Sequence, residues 1–567
     1  MLNTHKSGLA AALVASFALY ACGGGSSGGS DSSTTTTTTT TTSSAASSSS
    51  VTSSTASSSA ASSTSAASGS VSNTAIGWAS YYASSSSSLT GGTGASTAKT
   101  YTVTTRKELL DALYNSTETV AKDGTYSGGT LDSSAKIVYV KGTISLNTNL
   151  AGTELTADDY VLGSCAYSTE KYSTAAALYT AYEAAYNPTT WVPSSHTYAP
   201  DDTKSGEVVT GKPAYARTCA ANYQKQVVVL YVPSNTSIIG VGSDAKIVHG
   251  NLSMGTSSAA VDNIIVRNIT FEDAFDFFPA WDSTDSTTGR WNTSYDLISV
   301  LYATHVWIDH NEFSDGTRTD DLYPSVWNSS NTTNLTASDS TDYSSNEVYK
   351  FMHHDGMVDV TKSASLVTLS YNYFHDHDKS FLIGGTNTAN ASAEHPGVLN
   401  VTFHHNYFKN LKQRQPRVRY GMVHVFDNYY ENSLASTGVY GWAVGWTVGQ
   451  AGKIYAENNA FALASGSTVA NIYSVNASSS TVTTCAALKD STTSTLLYST
   501  SDCSAYFYDA GTYLNGTLVD VTSAITAASS LVSSTLYWKP STYYSYSLDS
   551  ASTLSSTIPS SVGVGKL

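Results

Sequence analysis

From about Thr100 onward, hydrophobic and polar residues alternate in short runs with the period of two that marks β-strands. Lys136-Ile-Val-Tyr-Val-Lys-Gly-Thr-Ile, Gln226-Val-Val-Val-Leu-Tyr-Val and Asn263-Ile-Ile-Val-Arg-Asn-Ile-Thr-Phe are three such runs. Only two stretches read as helices, Thr105 to Tyr114 and the Ala-rich Ser173 to Tyr186. Many strands and few helices leave a sandwich, a barrel or a solenoid open. A repeat chooses among them. An Asn followed two residues later by an aromatic closes a strand at Asn311–Phe313, Asn372–Phe374, Asn406–Phe408, Asn428–Tyr430 and Asn459–Phe461.

From Asn406 to Asn428 the step is 22 residues, and the other steps are longer, as loops inserted into some turns would make them. One turn-favouring Asn per unit of that length predicts a parallel β-solenoid, an all-β architecture with long loops and a few short helices. Stacked Asn side chains can bond one another and the turn backbone while the aromatics stack inside. The Ser-, Thr- and Asn-rich segment Ser325–Asn346 reads as an inserted loop rather than a coil.

The first hundred residues have a different texture. Residues 1–21 contain an apolar stretch, Leu9 to Ala21, too short for a permanent span and suited to a secretory signal. Leu19-Tyr20-Ala21-Cys22 has the form of a lipobox, which makes Cys22 the lipidation candidate and the only expected membrane attachment. Residues 22–98, almost all Ser, Thr, Gly and Ala, predict a disordered tether ahead of a folded domain at 99–567. An aromatic patch, Ile76 to Tyr82 with Trp78, interrupts that tether without an evident task. The expected location is therefore secreted, held at a bacterial outer membrane or cell surface.

Four further cysteines, Cys165, Cys219, Cys485 and Cys503, form an even set in an exported chain and predict two disulfides. Proximity in sequence favours Cys165–Cys219 and Cys485–Cys503, although three pairings exist. The formal net charge is −15, which argues against nucleic acid as a partner. A polyanionic ligand would need local cations. Arg414-Gln-Pro-Arg417-Val-Arg419-Tyr-Gly421 supplies three arginines in six residues, planar donors suited to carboxylate or phosphate.

Asp355 and Asp359 are four residues apart, so strand alternation places both on one face. Such a pair suits a hard cation such as calcium or an acid/base pair for glycoside hydrolysis, and equally a solvated edge. His375-Asp-His377-Asp-Lys379 carries possible transition-metal ligands, although a solvated charged turn is the commoner fate of such a run. Asp309, in Trp307-Ile-Asp-His310, and Asp296, after Tyr295, offer further carboxylates at strand ends.

Taken in order, these motifs resemble polysaccharide lyase family 1, the pectate lyases, and within it the extracellular bacterial branch. The residues that carry the resemblance are Phe271 to Asp282, Tyr295-Asp296, Trp307 to His310, His354 to Asp359, His377-Asp-Lys379 and Arg414-x-Pro416-x-x-Arg419-Tyr-Gly421. It extends from about Thr100 to Leu567. It implies a right-handed parallel β-helix and calcium-dependent β-elimination of (1→4)-α-D-galacturonan to 4,5-unsaturated oligogalacturonides by a monomer. It implies Asp296, Asp355 and Asp359 as calcium ligands, Asp285 as a ligand of a further calcium ion, and Arg414 as general base. Lys379 and Arg419 match residues that hold the carboxylates of polygalacturonate. An arginine base implies an alkaline optimum, because a free guanidinium keeps its proton to above about pH 12. The rival readings are a pectin lyase, which needs no metal, a glycoside hydrolase using Asp355 and Asp359, and a non-catalytic pectin-binding surface protein.

Overall fold

The computed structural model describes residues 74–83, 87–114, 130–163, 172–185, 213–282, 290–323, 352–434 and 439–567. The signal segment 1–21, Cys22, most of the expected tether, Cys165, Asp285 and the 325–346 segment lie outside them. Three long sheets of eleven, ten and eight strands run along the described chain, and nearly every pairing within them is parallel. Successive strands of one sheet come from successive coils, which is a parallel β-helix.

The eleven-stranded sheet shows why this sequence coils. Val138, Ile238, Val266, Ile308, Leu369, Phe403 and Val425 stand in register on consecutive strands, and all are fully buried. Each coil then turns through a residue in the left-handed region: His310, Tyr371, His405, Asp427 and Asn458, with φ between 49° and 53°. A side chain pays sterically for that conformation. The residue that follows each one compensates. Asn311, Asn372, Asn406, Asn428 and Asn459 are completely buried, and each of the first four donates its Nδ2 to the Oδ1 of the next at 3.0–3.1 Å. Two residues on, Phe313, Phe374, Phe408, Tyr430 and Phe461 continue a stack begun by Phe271 on the preceding coil, with centroids 4.2–5.5 Å apart. The expected Asn and aromatic repeat is thus the spine of the fold.

The helix expected at Thr105 to Tyr114 is Arg106–Leu113, capped by Thr105 and Glu108 in a reciprocal capping box, and it adds Leu109, Leu110 and Leu113 to the core. Ala175–Ala185 matches the second expected helix. Pro213–Val228, a 16-residue helix, was not expected. The strand read from Gln226 begins only at Val229, because Val227 and Val228 bury their side chains as the last turn of that helix.

The packed chain also starts earlier than residue 99. Trp78 is 1 % exposed, donates its backbone N–H to Thr402 Oγ1 at 3.0 Å, and stacks on Trp538 at 5.6 Å. The aromatic patch within the expected tether therefore docks on the outer face of the eleven-stranded sheet, since it carries apolar area that the Ser/Thr stretches lack. Cys485–Cys503 is bonded, as expected. Cys219 is also disulfide-bonded.

Candidate active site

The eight-stranded sheet gathers the candidate residues. Its middle strands are Ile298–Leu301, Val358–Thr361, Leu382–Ile383 and Arg417–Val418, one from each of four successive coils. Asp296 precedes the first, Asp355 and Asp359 flank the start of the second, and Arg414 and Arg419 bracket the fourth. Lys379 ends the strand Tyr373–Lys379 and pairs in register with Gln413, so Lys379 and Arg414 occupy adjacent rungs. Phe381 N–H donates to the Arg414 carbonyl at 2.8 Å and ties those rungs together.

Asp296 and Asp359 are 8 % exposed and meet over Gly356. Gly356 N–H donates to Asp296 Oδ1 at 3.0 Å, and Leu382 N–H donates to Asp359 Oδ1 at 2.9 Å. A methyl group on Gly356 would collide with both carboxylates, so only glycine fits between them. Burial, with the charge of Asp355 adding to it, pushes Asp296 up to about 7. Burial also raises Asp359 well above the carboxylate range, with Asp296 and Asp355 adding to the shift and Arg414 pulling the other way. Two buried acids that resist ionising together offer oxygen ligands that fit a hard divalent cation.

Asp355 lies just ahead of the strand rather than in alternation with Asp359, and its carboxylate faces Lys379 Nζ at 3.8 Å. The three aspartates are thus less tightly drawn together than two other groups among the described residues. In Asp315–Asp320–His354 and His405–Asp427–Asp549, the ligand atoms all lie within 4.8 Å of one another.

The arginine cluster divides. Arg414 has φ 58° and precedes the cis Gln415–Pro416 peptide, and its buried Nε has no hydrogen-bond partner among the described residues. Arg419 is 2 % exposed, donating Nε to Asn387 Oδ1 at 2.7 Å and Nη1 to the Gly384 carbonyl at 2.6 Å. Arg417 lies on the strand itself, paired with Leu382 and Thr447. A Cβ on Gly421 would strike the Leu399 carbonyl, so the chain leaves the cluster by a path closed to other residues.

The sequence reading missed the support beneath these residues. His377 donates Nδ1–H to Asp315 Oδ1 at 2.6 Å and Nε2–H to the Asp355 carbonyl at 2.8 Å, with the Lys379 carbonyl 3.2 Å away. Both ring nitrogens face acceptors, so the ring is held as imidazolium; burial opposes that charge, but Asp315 raises the group above its ordinary value. Tyr440 donates to the other Asp315 oxygen at 2.6 Å. The run His375–Lys379 is consequently a half-buried strand, not a solvated turn. Asp309 stands elsewhere, on the eleven-stranded sheet, in an ion pair with Arg267 at 2.6 Å. Asp285 lies outside the described residues.

A family model described as pectate lyase matches residues 203–567. The pectate lyase of Bacillus subtilis (strain 168) is 34 % identical over 491 residues, covering 87 % of this chain and 92 % of the relative. The chain belongs to the pectate lyase family. Among solved structures, this lyase resembles that of Acidovorax avenae subsp. citrulli at 47 % identity and TM-score 0.77, covering 87 % of this chain and 95 % of the other. A pectate lyase bound to a hexasaccharide is 32 % identical with TM-score 0.63, covering 87 % and 97 %. The lyase thus has its Asp and Arg candidates along one sheet, with Lys379 beside them at the end of a strand of the ten-stranded sheet.

Proposed function

We propose that the lyase cleaves polygalacturonate by calcium-dependent β-elimination, with Arg414 as the general base. In this reading Arg414 takes the proton from C5 of a galacturonate. The C–H electron pair becomes the C4–C5 double bond, the C4–oxygen bond breaks, and the departing oxygen takes a proton from water. Asp296, Asp355 and Asp359 would hold calcium, which supplies positive charge to the substrate carboxylate and stabilises the charge that develops next to C5. Lys379 and Arg419 hold substrate carboxylates, and Asn387 and the Gly384 carbonyl fix the Arg419 plane for that task. His377, anchored by Asp315, sets the backbone positions of both Asp355 and Lys379.

The observation that carries this reading is the placement of Lys379 and Arg414 on adjacent rungs beside two buried carboxylates that need a cation. Incubation of the full chain with polygalacturonate should give product absorbing in the ultraviolet with calcium at alkaline pH, and none with a chelator. New reducing ends without that absorbance would mean hydrolysis. Lipidation of Cys22 would hold the enzyme at the cell surface. Cys22→Ser should then free it from membranes, and unchanged fractionation would contradict the anchor.

A further inference from the structure

On the turn row far from the aspartate trio in sequence, His405 and Asp427 occupy the left-handed corners of adjacent coils. Asp549 reaches them from a C-terminal strap. That strap lies on the coils through Tyr544, whose hydroxyl is 3.1 Å from Thr402 Oγ1, and Tyr546, which donates to Glu457 at 2.6 Å. His405 Nε2 is 3.4 Å from Asp549 Oδ2 and 3.8 Å from Asp427 Oδ2. These gaps are long for hydrogen bonds. They lie near the ligand-to-ligand edge of about 3.4 Å expected for a tetrahedral ion with bonds of about 2.0–2.1 Å.

A second observation points to a ligand. The Asp427 side chain has no exposure, and its Oδ2 accepts from Asp549 N–H at 2.9 Å, but its buried Oδ1 has no hydrogen-bond partner. The imidazole is also oriented as a metal ligand would be. His405 Nδ1 lies 3.0 Å from Nδ1 of His404, a contact in which one ring nitrogen donates and the other accepts. Donation from His405 Nδ1–H leaves the Nε2 lone pair facing two carboxylates, an arrangement that a cation would resolve. Tyr371 fixes the ring by stacking on it at 4.8 Å. The Asp549 side chain is 56 % exposed and leaves a route of entry.

We propose that His405, Asp427 and Asp549 bind a zinc-class divalent cation that staples the C-terminal strap to the coils. The imidazole nitrogen favours such an ion over calcium, which takes oxygen ligands.

The test compares the full chain with Asp549→Ala, both stripped with a chelator and then titrated with Zn2+ by calorimetry. Asp549 is an exposed position, and the variant should keep wild-type turnover on polygalacturonate. The wild type should take up one equivalent more than the variant, and only the wild type should gain several degrees in melting temperature from that equivalent. Co2+ should give the wild type a four-coordinate ligand-field spectrum that the variant lacks. Zinc held by the aspartate trio is common to both chains and cancels. Equal uptake and equal melting response in the two chains would overturn the proposal.

Discussion

Replacing Asn406 by Ala removes the centre of the ladder that registers the coils. Its Oδ1 accepts from Asn372 N–H at 3.0 Å and Asn372 Nδ2 at 3.1 Å. Its Nδ2 donates to the Leu369 carbonyl at 2.9 Å and to Asn428 Oδ1 at 3.0 Å. Alanine strands the buried Asn372 N–H, at about 1–3 kcal/mol, and forfeits three other bonds worth roughly 1 kcal/mol or less each after compensation. The sum, about 1–6 kcal/mol, is a large part of the roughly 5–15 kcal/mol by which domains are stable. Urea denaturation followed by tryptophan fluorescence should show that loss as a lower midpoint. Activity should fall with it, because Tyr373–Lys379 and Tyr407–Gln413 start directly after Asn372 and Asn406 and carry the chain to Lys379 and Arg414. A change below about 1 kcal/mol, with turnover intact, would refute the idea that the ladder holds these rungs.

Trp78→Ala should destabilise the fold by about 3–5 kcal/mol, as for other buried aromatic truncations, and a chain begun at residue 99 should melt correspondingly lower. An unchanged melting curve would contradict docking of that patch. Asp296 is raised to about 7 in the metal-free chain from its ordinary value near 4, so the native state holds an extra proton between those limits. The associated stability is fully present below about pH 4 and lost as pH rises through about 7. Chelated protein should therefore melt lower at about pH 8 than at about pH 5.5, and calcium should restore more at the higher pH. A calcium response independent of pH would contradict the assignment. His377→Ala should weaken calcium binding roughly 10- to 100-fold through the Asp355 backbone, read by calorimetry. Unaltered affinity would make His377 a packing residue only.

The solenoid was legible because its determinants are local: each Asn and its aromatic lie two residues apart, and the turn recurs. The helix Pro213–Val228 was not, since Val227–Val232 is a continuous apolar run rich in valine and only burial divides it at Val229. Trp78 was visible as an aromatic patch, but its partners Thr402 and Trp538 are hundreds of residues away. Separation in sequence also hid the His377–Asp315 pair, whose members are 62 residues apart and meet only when coils stack. Arg414, Lys379 and the aspartates were legible as an ordered set of motifs. Their spacing alone misjudged Asp355, which precedes its strand and turns to Lys379.

The most direct test of the central claim separates binding from turnover in Arg414→Lys, assayed with calcium on polygalacturonate. Binding should persist, because Lys379, Arg419 and the aspartates remain, while formation of unsaturated product should fall by at least about 10²-fold. Turnover equal to that of the wild type would contradict Arg414 as the base.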